Sequence, residues 1–104
     1  MERPTAPIKR LKNLLTNGNL WLYLLSIMKS RGELYAYSVS TEIERDFLFR
    51  PNRIMVYVVL YKLEAEGLIT SKFKERRKYY RLTRKGTETL ESAREYFRML
   101  AGRL

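Results

Sequence analysis

Apolar residues recur along this chain in two rhythms, and the change of rhythm falls at Gly67. Before Gly67 they return every three or four positions, the period of a helix with one covered face. Met1 to Pro7 holds two of the three prolines and reads as an extended arm. Ile8 to Thr16 reads as a short helix with Ile8, Leu11, Leu14 and Leu15 on one stripe. "TNGN" breaks it, with Gly18 suited to the position after a helix end and Asn19 to an N-cap. Leu20 to Arg31 forms a second helix, its apolar side Leu20, Tyr23, Leu24, Ile27 and Met28, and Gly32 ends it. "ELYAY" is short and β-leaning. From Ser38 or Ser40, either able to cap, "SVSTEIERDFLF" turns helical and sends Val39, Ile43 and Phe47 toward a core. A fourth helix runs from about Pro51, tolerated in a first turn, to Glu66.

After Gly67 the period becomes two. "LITSKFK" puts Ile69, Ser71 and Phe73 on one side, and Thr70, Lys72 and Lys74 on the other. "KYYRLT" answers with Tyr80 and Leu82 opposite Tyr79 and Arg81, and "ERRK" between them is a basic turn. Thr83 can cap a last helix from Arg84 to near Arg103. The sum is a mainly α chain with a small β-hairpin wing: a winged helix-turn-helix with N-terminal and C-terminal dimerisation helices. It divides into an arm and short helix (1–18), a winged-helix domain (19–86) and a terminal helix (84–104), all one structural domain.

Composition narrows the chemistry. A chain of 104 residues is one domain. With no cysteine and no histidine, it lacks thiolate metal sites, disulfides and the commonest general base. The five glycines are scattered rather than gathered in a phosphate loop. Glu42, Glu44 and Asp46 make an acidic cluster that Arg45 and Arg50 are near enough to balance. An enzyme is not expected, and neither cofactor nor metal is implied. Leu20 to Met28, the longest mainly apolar stretch, is too short to span a bilayer. "MERPTAPIKR" lacks the apolar region of a signal peptide, so a cytoplasmic protein without membrane attachment is expected.

Charge adds the partner. The net +10 is concentrated at the ends: residues 1–19 carry +3, 20–67 are neutral and 68–104 carry +7. "SKFKERRKYYRLTRKG" alone holds eight Lys or Arg in sixteen residues. Such a field points first to nucleic acid.

Two runs carry a resemblance to a known family. "VYVVLYKLEAEGLI" supplies Tyr57, Leu60, Leu63, Glu64, Gly67, Leu68 and Ile69, and "RKYYRLTRKG" supplies Tyr79, Tyr80, Leu82, Thr83 and Gly86. Together they resemble the PadR family of winged-helix transcriptional regulators, over roughly Leu20 to Gly86 and the helix beyond. The resemblance implies a homodimer on double-stranded DNA, usually repressing, paired through its terminal helices. It also implies a possible small aromatic effector between subunits. Two departures stand out: Ala36-Tyr37 where the family often has Gly-Tyr, and Met55, Val56, Val58 and Val59 around Tyr57.

The residues then sort into roles. On the fourth helix Val56, Leu60 and Leu63 face inward, leaving Arg53, Ile54, Tyr57, Val58, Tyr61 and Lys62 outside. Arg50, Asn52 and Arg53 sit where a recognition helix meets base edges, and Arg and Asn pair bidentately with guanine and adenine. Tyr57 suits a phosphate, as the resemblance implies. Lys74, Arg76, Arg77 and Lys78 at the wing suit a narrow minor groove or flanking phosphates. Tyr79, Tyr80, Trp21 and Tyr23 read as packing residues. Leu90, Ala93, Phe97, Leu100 and Leu104 fall at coiled-coil spacing, and Leu11, Leu14 and Leu15 are their natural cover, from the same chain or a partner. Two rivals stand beside the dimeric regulator: a basic RNA-binding or ribosome-associated protein, and a protein-interaction module using Ile54, Val58 and Tyr61.

Overall fold

A computed structural model describes residues 3–104, and among them are five α-helices and one small sheet, the sheet packing against α2, α4 and α5. The helices are α1 (Ala6–Leu15), α2 (Leu20–Arg31), α3 (Val39–Phe47), α4 (Arg53–Ala65) and α5 (Arg84–Arg103). The strands are β1 (Leu34–Tyr35), β2 (Ile69–Lys74) and β3 (Arg77–Leu82). All pairings are antiparallel in the order β1-β3-β2, so the hairpin gains the short strand as a third member.

The core is built around α2. Leu24, Leu25, Ile27 and Met28 are buried there, against Val39 and Ile43 of α3, Val56 and Leu60 of α4, and Leu34, Ile69, Tyr80 and Leu90. Burying each such side chain contributes roughly 1.5–3 kcal/mol. Leu25 lies outside the expected stripe, yet it is fully buried while Tyr23 is only partly so. Neighbours on several sides of α2 remove the need for a single face.

The end of α4 shows how the sequence changes rhythm. Gly67 takes φ +78, its N–H donating to the Glu64 carbonyl while the Leu68 N–H donates to that of Leu63. This paired closure needs a left-handed residue, and glycine adopts it without steric cost. Buried Leu63 and Leu68 flank it, and β2 leaves directly.

Several local expectations change. Pro7 belongs to the first turn of α1, which begins just after Thr5 with no side-chain cap, so the extended arm is shorter; Met1 and Glu2 lie outside the described residues. Gly18 has no positive φ and sits in a 3-10 turn, Asn17–Asn19. Neither serine caps α3 through its side chain: the Ser38 hydroxyl donates to the Tyr35 carbonyl, and Ser40 is buried. Phe47 is more than a third exposed, its ring meeting Tyr23 edge-on at 4.9 Å rather than entering the core. Pro51 precedes α4, which begins at Arg53. The hairpin turn is two residues, Glu75 and Arg76, because β3 already includes Arg77 and Lys78.

Candidate nucleic-acid interface

The N-terminus of α4 is organised by Asn52. Its side-chain oxygen accepts from the backbone N–H groups of Ile54 at 2.9 Å and Met55 at 3.2 Å. These are two of the donors that a helix start leaves unpaired. Beyond the cap, Arg53, Ile54, Tyr57, Val58 and Tyr61 are exposed on α4. Ile54 and Tyr61 keep 73% and 77% of their surface in solvent, so the outer face of α4 is mostly apolar.

The wing is set by its turn. Lys74 pairs with Arg77 across the strands, leaving Glu75 at φ +49 and Arg76 at φ +69 between them. Positive φ at both central residues matches the right-handed twist of the strands, but neither side chain favours it. Alternation places Thr70, Lys72, Lys74, Arg77, Tyr79 and Arg81 on the outward face.

The candidate cations divide by their partners. Lys74 Nζ donates to both Glu33 carboxylate oxygens at 2.9 Å, Arg50 meets Glu44 at 3.1 Å, and Lys78 lies 3.9 Å from Glu64. The hydrogen bond from Lys74 holds the Glu33 carboxyl below its ordinary pKa, helped by the charges of Lys74, Arg81 and Lys72. Arg53, Arg76 and Arg77 form no salt bridge among the described residues. Arg53 and Arg77 instead lie over aromatic rings, at 4.8 Å from the centroid of Tyr37 and 5.4 Å from that of Tyr35. Sequence reasoning placed the arginines but missed these rings. The tyrosines of "LYAYS" stand two apart in sequence, but their rings come together because Tyr35 ends β1 and Tyr37 sits in the 3-10 turn that follows, Ala36–Ser38.

The terminal stripes are largely uncovered. No residue of α1 is buried; Leu11 and Leu14 are exposed and Leu15 is half-buried. On α5, Leu90 joins the core of its own chain and Ala93 is half-buried, whereas Phe97, Leu100 and Leu104 are exposed. A groove of about 480 Å³ separates Leu15, Trp21 and Leu22 from Ala93, Tyr96 and Phe97. No helix among the described residues is long and apolar enough to cross a membrane.

Residues 24–92 match the family model of the transcriptional regulator PadR-like family. The chain belongs to that family. The PadR family transcriptional regulator of Eggerthella lenta DSM 2243 superposes with a TM-score of 0.77 at 24% identity, over 92% of this chain and 87% of its own. A transcriptional regulator of Clostridium thermocellum gives 0.72 at 28%, over 80% of this chain and 86% of its own. F93 from STIV, described as a winged-helix DNA-binding protein, gives 0.71 at 20%, over 75% and 86%. Among curated proteins none matches. Membership fixes the broad role, a winged-helix regulator of transcription, and leaves the contacts to be assigned residue by residue.

Proposed function

We propose that two copies of this chain bind a specific duplex DNA sequence and repress transcription by occupying it. The observation that carries the reading is that, of the four candidate contact arginines, Arg53, Arg76 and Arg77 meet no acid among the described residues while Arg50 meets Glu44. In this reading Arg53 meets guanine in the major groove. Asn52 organises the helix start and offers its amide N–H to the duplex. Tyr57 bonds a phosphate. Arg76 and Arg77 enter the minor groove or its edge, with Lys74, Lys78 and Arg50 as weaker contributors because each already faces a carboxylate. No catalytic role is assigned to any residue.

The uncovered stripes of α1 and α5 support a homodimer, since Leu11, Leu14, Phe97, Leu100 and Leu104 otherwise stand in water. A dimer places two reading heads about 34–36 Å apart, or a multiple of it. The groove beside Trp21 and Phe97 is where a planar aromatic effector would sit.

The test is selection of bound duplexes from a random library at stated salt, followed by footprinting. Replacing Arg53, Arg76 and Arg77 together with alanine should abolish binding and leave the dimer intact; unchanged affinity refutes the assignment. The exposed Ile54 and Tyr61 favour a second reading, docking of a protein on α4. A selection that yields no duplex would leave that reading in place.

A further inference from the structure

Tyr37, Tyr35 and Tyr79 form a strip of rings, and each ring carries a cation. The centroids of Tyr37 and Tyr35 lie 6.0 Å apart with planes at 29°, and those of Tyr35 and Tyr79 lie 5.5 Å apart at 34°. Arg53 from α4 covers Tyr37, Arg77 from β3 covers Tyr35, and Lys74 covers Tyr79 at 5.1 Å. Lys74 is tied in turn to Glu33, just before β1, which anchors that end of the strip.

Resting on the DNA-binding reading above, we propose that this strip is a brace that fixes Arg53 of the recognition helix relative to Arg77 of the wing. The two arginines then engage the duplex as one unit. A carboxylate would also hold an arginine, but it would occupy the N–H edge and cancel the charge, as Glu44 does for Arg50. A ring holds the guanidinium by its face and leaves the N–H fork free for guanine or phosphate. Exposed arginine side chains otherwise lose much rotamer freedom on binding, and prior ordering removes part of that cost. Tyr35 and Tyr37 are therefore positioning residues, acting through the arginines.

The experiment is a coupling measurement with a duplex selected by the wild-type protein. Arg53→Ala, Arg77→Ala and the double variant are compared in wild-type, Tyr35→Leu, Tyr37→Leu and Tyr35→Phe backgrounds. With the tyrosines present, the double variant should lose about three- to tenfold less affinity than the product of the single losses. Tyr35→Leu and Tyr37→Leu should restore the simple product, and Tyr35→Phe should keep the coupling. Coupling that is absent from the wild type, or that survives both leucine variants, overturns the brace. If Tyr35→Leu fails to fold, Tyr37→Leu carries the test, because Tyr37 is 61% exposed. A second readout needs no DNA: the Arg53 side-chain N–H resonance should be ring-shifted in the free protein and revert in Tyr37→Leu. An unshifted resonance overturns the brace alone, whereas a shifted one in a protein that binds no duplex supports the brace's geometry and overturns the DNA-binding reading.

Discussion

Gly86 lies so close to Leu68 that a Cβ built on it would stand 2.0 Å from the Leu68 carbonyl oxygen. Three hydrogen bonds clamp the same junction. The Thr83 N–H donates to the Leu68 carbonyl at 3.1 Å, and the Thr83 hydroxyl donates to the Gly67 carbonyl at 2.7 Å. The Gly86 N–H donates to the Thr83 hydroxyl oxygen at 3.1 Å. The start of α5 is thus seated directly on the root of β2. Gly86→Ala should force the two backbones apart, costing about 1–3 kcal/mol or more. Thermal unfolding checks it, and an unchanged melting temperature would remove the close contact from the account.

Asn52 allows capping and recognition to be separated. Asn52→Ala should cost about 1 kcal/mol of stability, the usual loss for a cap with two backbone donors. Asn52→Asp should keep the cap and add a negative charge where a phosphate or base edge is proposed. Chemical denaturation of Asn52→Asp should match the wild type, while its duplex affinity falls. Equal affinity would confine Asn52 to the cap.

Glu75 and Arg76 hold positive φ angles that favour Asn-Gly in a two-residue hairpin. Glu75→Asn with Arg76→Gly should therefore stabilise the fold, by up to about 1 kcal/mol, because the left-handed strain relieved at two positions exceeds the freedom glycine adds to the unfolded chain. It should also weaken duplex binding and lower the slope of log affinity against log salt by about one per subunit. A stabilised variant with unchanged salt dependence would place Arg76 away from the phosphates.

Arg31 joins the end of α2 to α3 by meeting Glu42 at 3.1 Å and Asp46 at 3.0 Å. The hydrogen bond from Arg31 holds the Asp46 carboxyl below its ordinary value of 3.8, helped by the charges of Arg31 and Arg45. A carboxyl lowered in the folded state contributes stability above its unfolded pKa and loses it as pH falls through the folded one. Asp46→Asn should be less stable than the wild type at neutral pH, with the gap closing below about pH 4. Denaturant titrations at several pH values check this; a constant gap would mean that Asp46 acts without its charge.

Leu100 tests the dimer. Leu100→Asp should yield a folded monomer by light scattering and weaken duplex binding by an order of magnitude or more, since two linked heads bind far better than one. A dimer of unchanged mass would place the contact elsewhere.

Much of this was legible in the amino-acid order because it is local. Helix periodicity, the Gly67 closure, the switch to period two and the Thr83 cap each depend on residues a few positions apart, and all appear where the pattern puts them. The basic wing was equally plain, as charge is carried by composition. What failed were expectations that depend on who stands opposite. Leu25 joined the core from outside the stripe, with Tyr23 still packed against it, because α2 is enclosed from several sides. Phe47 met Tyr23 at an edge instead of entering the core. Which arginines stay unneutralised is a matter of distance between segments remote in sequence, as Lys74 with Glu33 shows. The ring strip under Arg53 and Arg77 likewise required β1 to pair with β3. Sequence determined the elements and their charge, because those follow from neighbours along the chain. Only the tertiary arrangement decided which cations keep a free N–H edge, because that depends on partners folding brings from elsewhere.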